Sequence, residues 1–284
     1  MTTPLSPPDH ARSGGAASLL APSAVPAWRA RLGRLGFSVA PVLGALLLWQ
    51  LCSSLGVIDA SFFPAPTRVL AKVWELLLAG EMIPNLLVSL QRFLFGFLLG
   101  AVPGVILGLL MGWMRAVRLI LDPIITIVYP IPRIAILPLF LVIFGLGSPP
   151  IIAITALICF FPAVVTTYAG VRGLDPNLPA MARNIGATRM QVMTKIALPA
   201  ALPVMFAGLR LSLGLALTGE VAAEFVAASN GIGAEIWRSW QIYRIDAMYA
   251  NIFAISAVGV LFSYILLEVQ RRLLSWDEGV ELSK

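Results

Sequence analysis

Six apolar runs of about 20 residues each dictate what this chain can fold into, because a run of that length crosses roughly 30 Å of hydrocarbon as a helix. They cover about 36–57, 86–113, 119–144, 150–171, 200–226 and 247–267. The composition agrees: 59% hydrophobic and 12% charged residues fall well outside the range of soluble domains. The expected fold class is all-α, a polytopic membrane protein with about six transmembrane helices.

The first 35 residues hold Pro4, Pro7, Pro8, Gly14, Gly15, Pro22 and Pro26 among scattered serines, a composition that buries no core. They read as a disordered cytoplasmic tail, with 36–284 as the membrane domain. Arg29, Arg31 and Arg34 precede an apolar run too long for a signal-peptide core, so that run is expected to stay as a span. Cys52 and Cys159 lie inside separate runs, which suits packing better than a disulfide or a metal site.

Lysine and arginine set the orientation, since cytoplasmic loops retain positive charge during insertion. With both termini inside, the cytoplasmic segments carry Arg12, Arg29, Arg31, Arg34, Arg115, Arg118, Arg172, Arg183, Arg189, Lys195, Arg271, Arg272 and Lys284. The outer segments carry Arg68, Lys72, Arg238 and Arg244. The net charge of +6 therefore reports topology and calls for no nucleic-acid partner.

Several chemistries are excluded. No Gly-x-x-x-x-Gly-Lys-Ser/Thr loop is present, so the chain holds no nucleotide phosphates in that manner. The one histidine, His10, lies in the tail, which removes histidine metal sites and His-dependent triads. A proton-coupled carrier needs buried carboxylates, for which only Asp122, Glu220 and Glu224 are candidates.

Charges inside the apolar runs demand compensation, since an intramembrane arginine costs about 2.5–3.5 kcal/mol on insertion scales. Arg92 is expected to snorkel to the outer interface. Arg133 follows Pro130 and Pro132, which break a helix, and is placed to border a water-filled path or the cytoplasmic mouth. For Arg210, pairing with a carboxylate and attraction of an anion both stand open. Glu220 and Glu224 lie one helical turn apart and repel, so at least one must be solvated, protonated or paired, with an arginine of another span as one such partner. Glu224 is a candidate for shaping an outer gate.

Gly96, Gly100, Gly104, Gly108 and Gly112 recur every fourth residue along the second run. Small residues at that spacing let helix backbones approach in lipid, and the row drifts about 40° per step into a spiral groove. Packing within the subunit is the first expectation; a homodimer seam or a mobile contact is the alternative. Between the first two runs, Thr67 to Leu78 reads as an interfacial helix with Val69, Leu70, Val73, Trp74 and Leu77 on its apolar side.

The longest inward connection, about 172–197, is patterned rather than loose. Asp175 or Asn177 is placed to cap a short helix, with Pro176 or Pro179 in its first turn. Leu178, Met181, Ala182 and Ile185 form an apolar stripe at i, i+3, i+4 and i+7. Gly186 is placed to end that helix in a left-handed conformation, and Thr188 with Gln191 forms a capping box for a second helix. Periodicity alone leaves open whether this pair lies in the headgroups or meets a partner.

The same segment resembles the EAA loop of ABC importer permeases, Glu-Ala-Ala, three residues, Gly, nine residues, Ile-x-Leu-Pro. Ala182, Gly186, Ile196, Leu198 and Pro199 match that spacing, while Ala180 and Met181 replace the glutamate and first alanine. Further resemblance to permeases of nitrate, taurine, alkanesulfonate and bicarbonate importers rests on Pro130–Phe140, Phe144–Gly147, Ala200–Pro203, Gly208–Leu211 and Val221–Phe225.

The resemblance implies a type I, MetI-like importer fold in a bacterial inner membrane, one amino-terminal helix plus a five-helix core. It implies an ATPase-coupling loop comprising Asp175, Leu178, Ala182, Arg183, Gly186, Ala187, Ile196, Leu198 and Pro199. The expected partners are two ATP-binding subunits, an extracytoplasmic solute-binding protein, a second copy of the chain and membrane lipid. ATP and magnesium would sit on the ATPase, leaving this chain no cofactor and no catalytic residue. Arg133, Arg210, Glu220 and Glu224 are the candidate path or gate residues. The expected cargo is a small anion such as a sulfonate, taurine or nitrate, with a pyrimidine precursor, flavin or aromatic acid as the alternative. An ion-coupled carrier and a non-transporting scaffold are the rival classes.

Overall fold

The computed structural model describes residues 27–274, and the secondary structure within them is helical. Helix α1 (Ala27–Ser54) starts upstream of the expected boundary at Gly36, so residues 27–35 are helical rather than tail. Residues 1–26 of the expected tail lie outside the described part. Up to Cys52 the chain belongs to one compact unit, and from Ser53 to another.

The second unit begins with α2 (Pro66–Leu78), which uses Pro66 at its start, where a missing N–H is harmless. Its apolar side divides. Val69 and Leu76 are buried, and Val73, Leu76 and Leu77 join an apolar cluster with Ile232, Ile236, Ala247 and Ala250. Leu70 and Trp74, assigned by periodicity to the same side, remain exposed. Arg68 ties this helix to Asp246 at 2.7 Å.

Helix α3 (Met82–Trp113) is about 48 Å long at 1.5 Å per residue, enough to cross a bilayer with a tilt. The expected third span is not one helix. The chain forms α4 (Arg115–Val128), a 3-10 turn (Arg133–Ile136) and α5 (Leu137–Phe144), bent by 86° at the break. Pro130 and Pro132 supply the reason, since neither has an N–H to continue the ladder. After α6 (Ser148–Arg172) come two short helices, α7 (Asn177–Asn184) and α8 (Arg189–Val192). Helix α9 (Leu198–Ala227), α10 (Ile232–Gln241) and α11 (Ile245–Leu273) complete the described residues.

Among the described residues, four helices are long and apolar enough to cross a membrane, or five if the bent pair counts as one span. The apolar part of α1, Ala40–Ser54, is shorter than that. The centre of the unit is α6, whose most apolar stretch is 56% buried, against 11% for α11. It lies between α3 on one side and α9 on the other.

The glycine row explains the first of these contacts. A Cβ on Gly96 would meet Thr155, on Gly104 the Phe160 carbonyl and Ala163, on Gly108 the Val164 carbonyl and Thr167, and on Gly112 Val171. On Gly100 it would collide with the backbone of Ala156. The row therefore packs against α6 of the same chain. On the other face of α6, Gly208 of α9 admits Thr166, and Gly170 of α6 lies against Ala201.

A prediction follows from backbone meeting backbone. Gly100→Ala should lower stability by about 1–3 kcal/mol, the usual cost of overpacking a tight contact. Gly214→Ala, whose added methyl meets nothing within 4 Å, should leave it unchanged or slightly raised. Thermal unfolding in detergent compares the two, and equal midpoints would contradict the seam.

Candidate functional site

The end of the bundle where α3, α6 and α10 begin and α9 finishes holds a buried polar cluster. On α3, Asn85, Ser89 and Arg92 share one face, and the glycine row continues it. Arg92 is 3% exposed and Glu224 of α9 is fully buried. The Arg92 Nη1 donates to Glu224 Oε1 at 2.5 Å and to the Asn230 carbonyl at 2.8 Å. Nη2 donates to Asn230 Oδ1 at 2.6 Å and Nε to Ser148 Oγ at 2.9 Å.

Glu224 is equally engaged. Its Oε2 accepts the Gly233 N–H at 2.8 Å, and the Ser89 hydroxyl donates to the carboxylate at 2.8 Å. Ser89 Oγ in turn accepts the Ile232 N–H at 2.8 Å, and Asn85 Oδ1 accepts the Gly231 N–H at 2.9 Å. The segment Asn230–Gly233 is thus wrapped over the ion pair. Gly231 has φ +108°, a conformation that favours glycine, and a Cβ there would run into both Glu224 and Arg92.

Arg92 therefore does not snorkel. A buried carboxylate and a set of buried acceptors compensate the guanidinium better than a stretched side chain does, and one charge neutralises the other. Glu224 is the paired member of the two carboxylates, and its partner comes from another helix. Glu220 is also fully buried, but neither of its oxygens has a hydrogen-bond partner.

Glu220 adjoins this cluster, within electrostatic reach of Glu224 and Arg92, whereas Arg133 and Arg210 bond elsewhere. Arg133 sits in the 3-10 turn, donating to the Tyr129 carbonyl at 2.8 Å, with its guanidinium 4.8 Å from the Tyr129 ring centre and 5.3 Å from that of Phe161. Stacking on aromatic faces satisfies part of its charge. Arg210 is exposed and donates to Gln270 Oε1 of α11 at 2.6 Å, an amide rather than a carboxylate. Arg133, Arg210 and Glu220 make no ion pair with one another or with Glu224 among the described residues.

At the opposite end, α7 and α8 form an elbow. Asp175 Oδ1 accepts the Asn177 N–H at 2.9 Å, fixing the entry to α7. At the exit Gly186 has φ +88°, with the Gly186 N–H donating to Arg183 O and the Ala187 N–H to Ala182 O, each at 3.0 Å. That pair of bonds is a Schellman stop. Thr188 and Gln191 complete a capping box at 3.3 and 2.8 Å.

The elbow's apolar stripe divides. Ala182 is buried, while Leu178, Met181 and Ile185, joined by Met190 of α8, are exposed. Ile185 reaches 88% exposure beside a helix end whose backbone is fixed by the two bonds at Gly186 and Ala187. Val192 and Ala197 anchor the other side in the bundle, and Ile196, Leu198 and Pro199 are half-buried along the continuation into α9.

The sequence pattern of the family described as "Binding-protein-dependent transport system inner membrane component" matches residues 104–275. The chain belongs to this family. It is thus a transport permease subunit of an inner membrane, not an enzyme. Residues 104–275 include the elbow, the bent pair, α6 and Glu224, while Arg92 lies before them.

Curated relatives extend further. The putative aliphatic sulfonates transport permease protein SsuC of Bacillus subtilis (strain 168) is 35% identical over 83% of this chain and 86% of its own length. The taurine transport system permease protein TauC of Escherichia coli (strain K12) is 33% identical, covering 89% and 94%. The riboflavin transport system permease protein RibX of Chloroflexus aurantiacus is 34% identical, covering 82% and 87%.

Solved structures share the fold at lower identity. An inward-facing form of the MetNI methionine ABC transporter aligns with a TM-score of 0.59 at 19% identity, over 68% of this chain and 95% of that one. A bacterial alginate ABC transporter, in complex with an alginate-pentasaccharide-bound periplasmic protein, aligns at 0.55 and 18%, over 85% and 96%. The permease fold expected from the resemblance is therefore the observed one.

Sequence reasoning found Glu224 and the elbow caps but not Asn85, Ser89, Ser148 or the wrapping role of Asn230. A signal was present: Asn85, Ser89 and Arg92 recur at i, i+4 and i+7 across the start of an apolar run, on the face that continues as glycines.

Removing one partner should cost about 3–5 kcal/mol, because the other charge is stranded in a dry site. Arg92→Met and Glu224→Leu should each lower the unfolding midpoint strongly, and the double variant should recover much of the loss. Glu220→Gln, which breaks no hydrogen bond, should shift it less than either. Additive losses in the double variant would refute a coupled pair.

Proposed function

We propose that this chain forms the membrane path of an ABC importer for small sulfonates, with taurine and short alkanesulfonates as its cargo. The observation that carries the mechanical part is the elbow. Two helix ends fixed by a Schellman stop and a capping box present Met181, Ile185 and Met190 outward, on the loop whose spacing marks the family. In this reading an ATP-binding subunit covers that apolar face, and its closure on ATP moves the elbow. Asp175, Leu178, Ala182, Arg183, Gly186, Ala187, Ile196, Leu198 and Pro199 hold or build the contact.

The sulfonate assignment is supported by two relatives named for aliphatic sulfonates and taurine at 33–35% identity. The riboflavin relative at 34% supports a second reading, an uncharged or heterocyclic cargo. The chain would lie with both termini in the cytoplasm, α1 and the bent pair bringing the spans to six, and would act as a homodimer with two ATPases and a binding protein. The Arg92–Glu224 cluster then sits at the outer end, where it fixes the α9–α10 connection. Alternating access from the elbow side would move α9 relative to α3.

Proteoliposomes containing the chain, its ATPase and its binding protein should take up labelled taurine with ATP and without an ion gradient. Uptake of riboflavin in place of taurine would favour the second reading, and uptake driven by a gradient alone would defeat both. Gly186→Glu should abolish ATP-driven uptake while leaving insertion intact, because it forces a side chain into φ +88° and places charge at the covered face. Normal uptake by that variant would count against the elbow as the coupling element.

A further inference from the structure

A cavity of about 600 Å³ lies behind the elbow, and its wall includes Trp113 at the end of α3, Arg172 at the end of α6, Pro179 and Arg183 of α7, and Arg189 at the start of α8. Three arginines from three separate elements line one space, and no carboxylate lines it. None of the three side chains makes a hydrogen bond or ion pair among the described residues. Arg68, Arg92, Arg238 and Arg272 differ in this respect, each having an aspartate or glutamate partner. The acid closest in sequence, Asp175, accepts the Asn177 N–H at the start of α7.

Orientation in the membrane requires positive charge on this side, not convergence on a concavity. Arg115 and Arg118, at the same end of the bundle, lie outside the cavity wall. All three arginines are exposed to water, and around one concave space their charges add to a positive potential that attracts an anion. Each offers a planar fork of donors that matches the oxygens of a phosphate or sulfate. The volume falls within the roughly 300–1,000 Å³ typical of small-ligand sites. Trp113 adds an indole of the kind that settles at headgroup level.

We propose that this cavity binds a tetrahedral oxyanion of the phosphate or sulfate type, carried on a phospholipid headgroup or free in solution. Arg183 belongs both to this wall and to the loop residues assigned to the ATPase contact, whereas Arg172 and Arg189, the residues changed below, belong to the wall alone. An anion there bridges α6, α7 and α8 and braces the elbow against the ends of α3 and α6.

The test uses the full-length chain in its purified complex, with two arms. In the first, the complex is taken from nanodiscs of phosphatidylglycerol and phosphatidylcholine into a neutral detergent, and the lipid it retains is quantified by mass spectrometry. In the second, lipid-stripped complex is titrated with sodium phosphate or sulfate against chloride at equal ionic strength, and hydrogen exchange is followed across 177–192. Several-fold preferential retention of phosphatidylglycerol, lost in Arg172→Gln/Arg189→Gln, would assign the lipid source. Saturable slowing of exchange by phosphate or sulfate, lost in the same variant, would assign the free anion. Arg172→Lys/Arg189→Lys, which keeps the charge without the fork, should give weakened binding and covers the case in which the glutamine variant fails to fold. Neither response in the unaltered complex, or responses of undiminished strength in the lysine variant and in any folded glutamine variant, would overturn the proposal.

Discussion

Everything in the larger unit depends on how closely α3 approaches α6. Lipid tails are as apolar as the side chains facing them, so two helices gain little by burying leucine against leucine. Contact must come from backbone proximity or from polar bonding. This chain uses both on a single face of α3. Ser89 and Arg92 bond across one part of it, and Gly96 to Gly112 let backbone touch backbone along the rest. With α3 fixed, α6 becomes central, and α9 packs on its remaining side through Gly170 and Gly208.

The two halves of that face differ in what they specify. The glycine seam admits small neighbours along its whole length and resists sliding only through shape. The ion pair has one geometry. Its partners are drawn from α3, the start of α6, the end of α9 and the connection to α10, so a displacement of any of them would break bonds in a place that water does not reach. Register is thus set at one end and permitted along the rest.

Much of this was legible in the sequence, for physical reasons that also explain the rest. Local signals were read well: Gly186, Thr188 and Gln191 adopt the cap geometry that their spacing predicts, because a cap is decided by residues within one turn. The glycine row gave its contact mode but not its partner, since a period of four says nothing about which helix answers it. Arg92 was misplaced because snorkelling and pairing cost similar amounts in sequence terms, and only the approach of α9 decides between them. The third apolar run gave its length but not its path: Pro130 and Pro132 announced a break, whereas the 86° bend depends on the packing on either side. In α2, periodicity gave an apolar side wider than the surface available to cover it, leaving Leu70 and Trp74 outside.

One local irregularity has a mechanical consequence. Between α8 and α9 the chain does not stop turning: Met193–Ala197 is a single stretch of π-helix, and Arg189–Ala227 passes as one 39-residue helical shaft. From the capping box to Glu224 that shaft runs about 50 Å at helical rise. The foot of the shaft and the carboxylate on Arg92 are thus joined without an intervening loop. The shaft's irregularities lie near the foot, at the wide π turn, at Pro199 and at Pro203, where the ladder is interrupted. Above Pro203 no further proline interrupts the ladder, and the helix carries Glu224 to its bonds with Arg92 and Gly233.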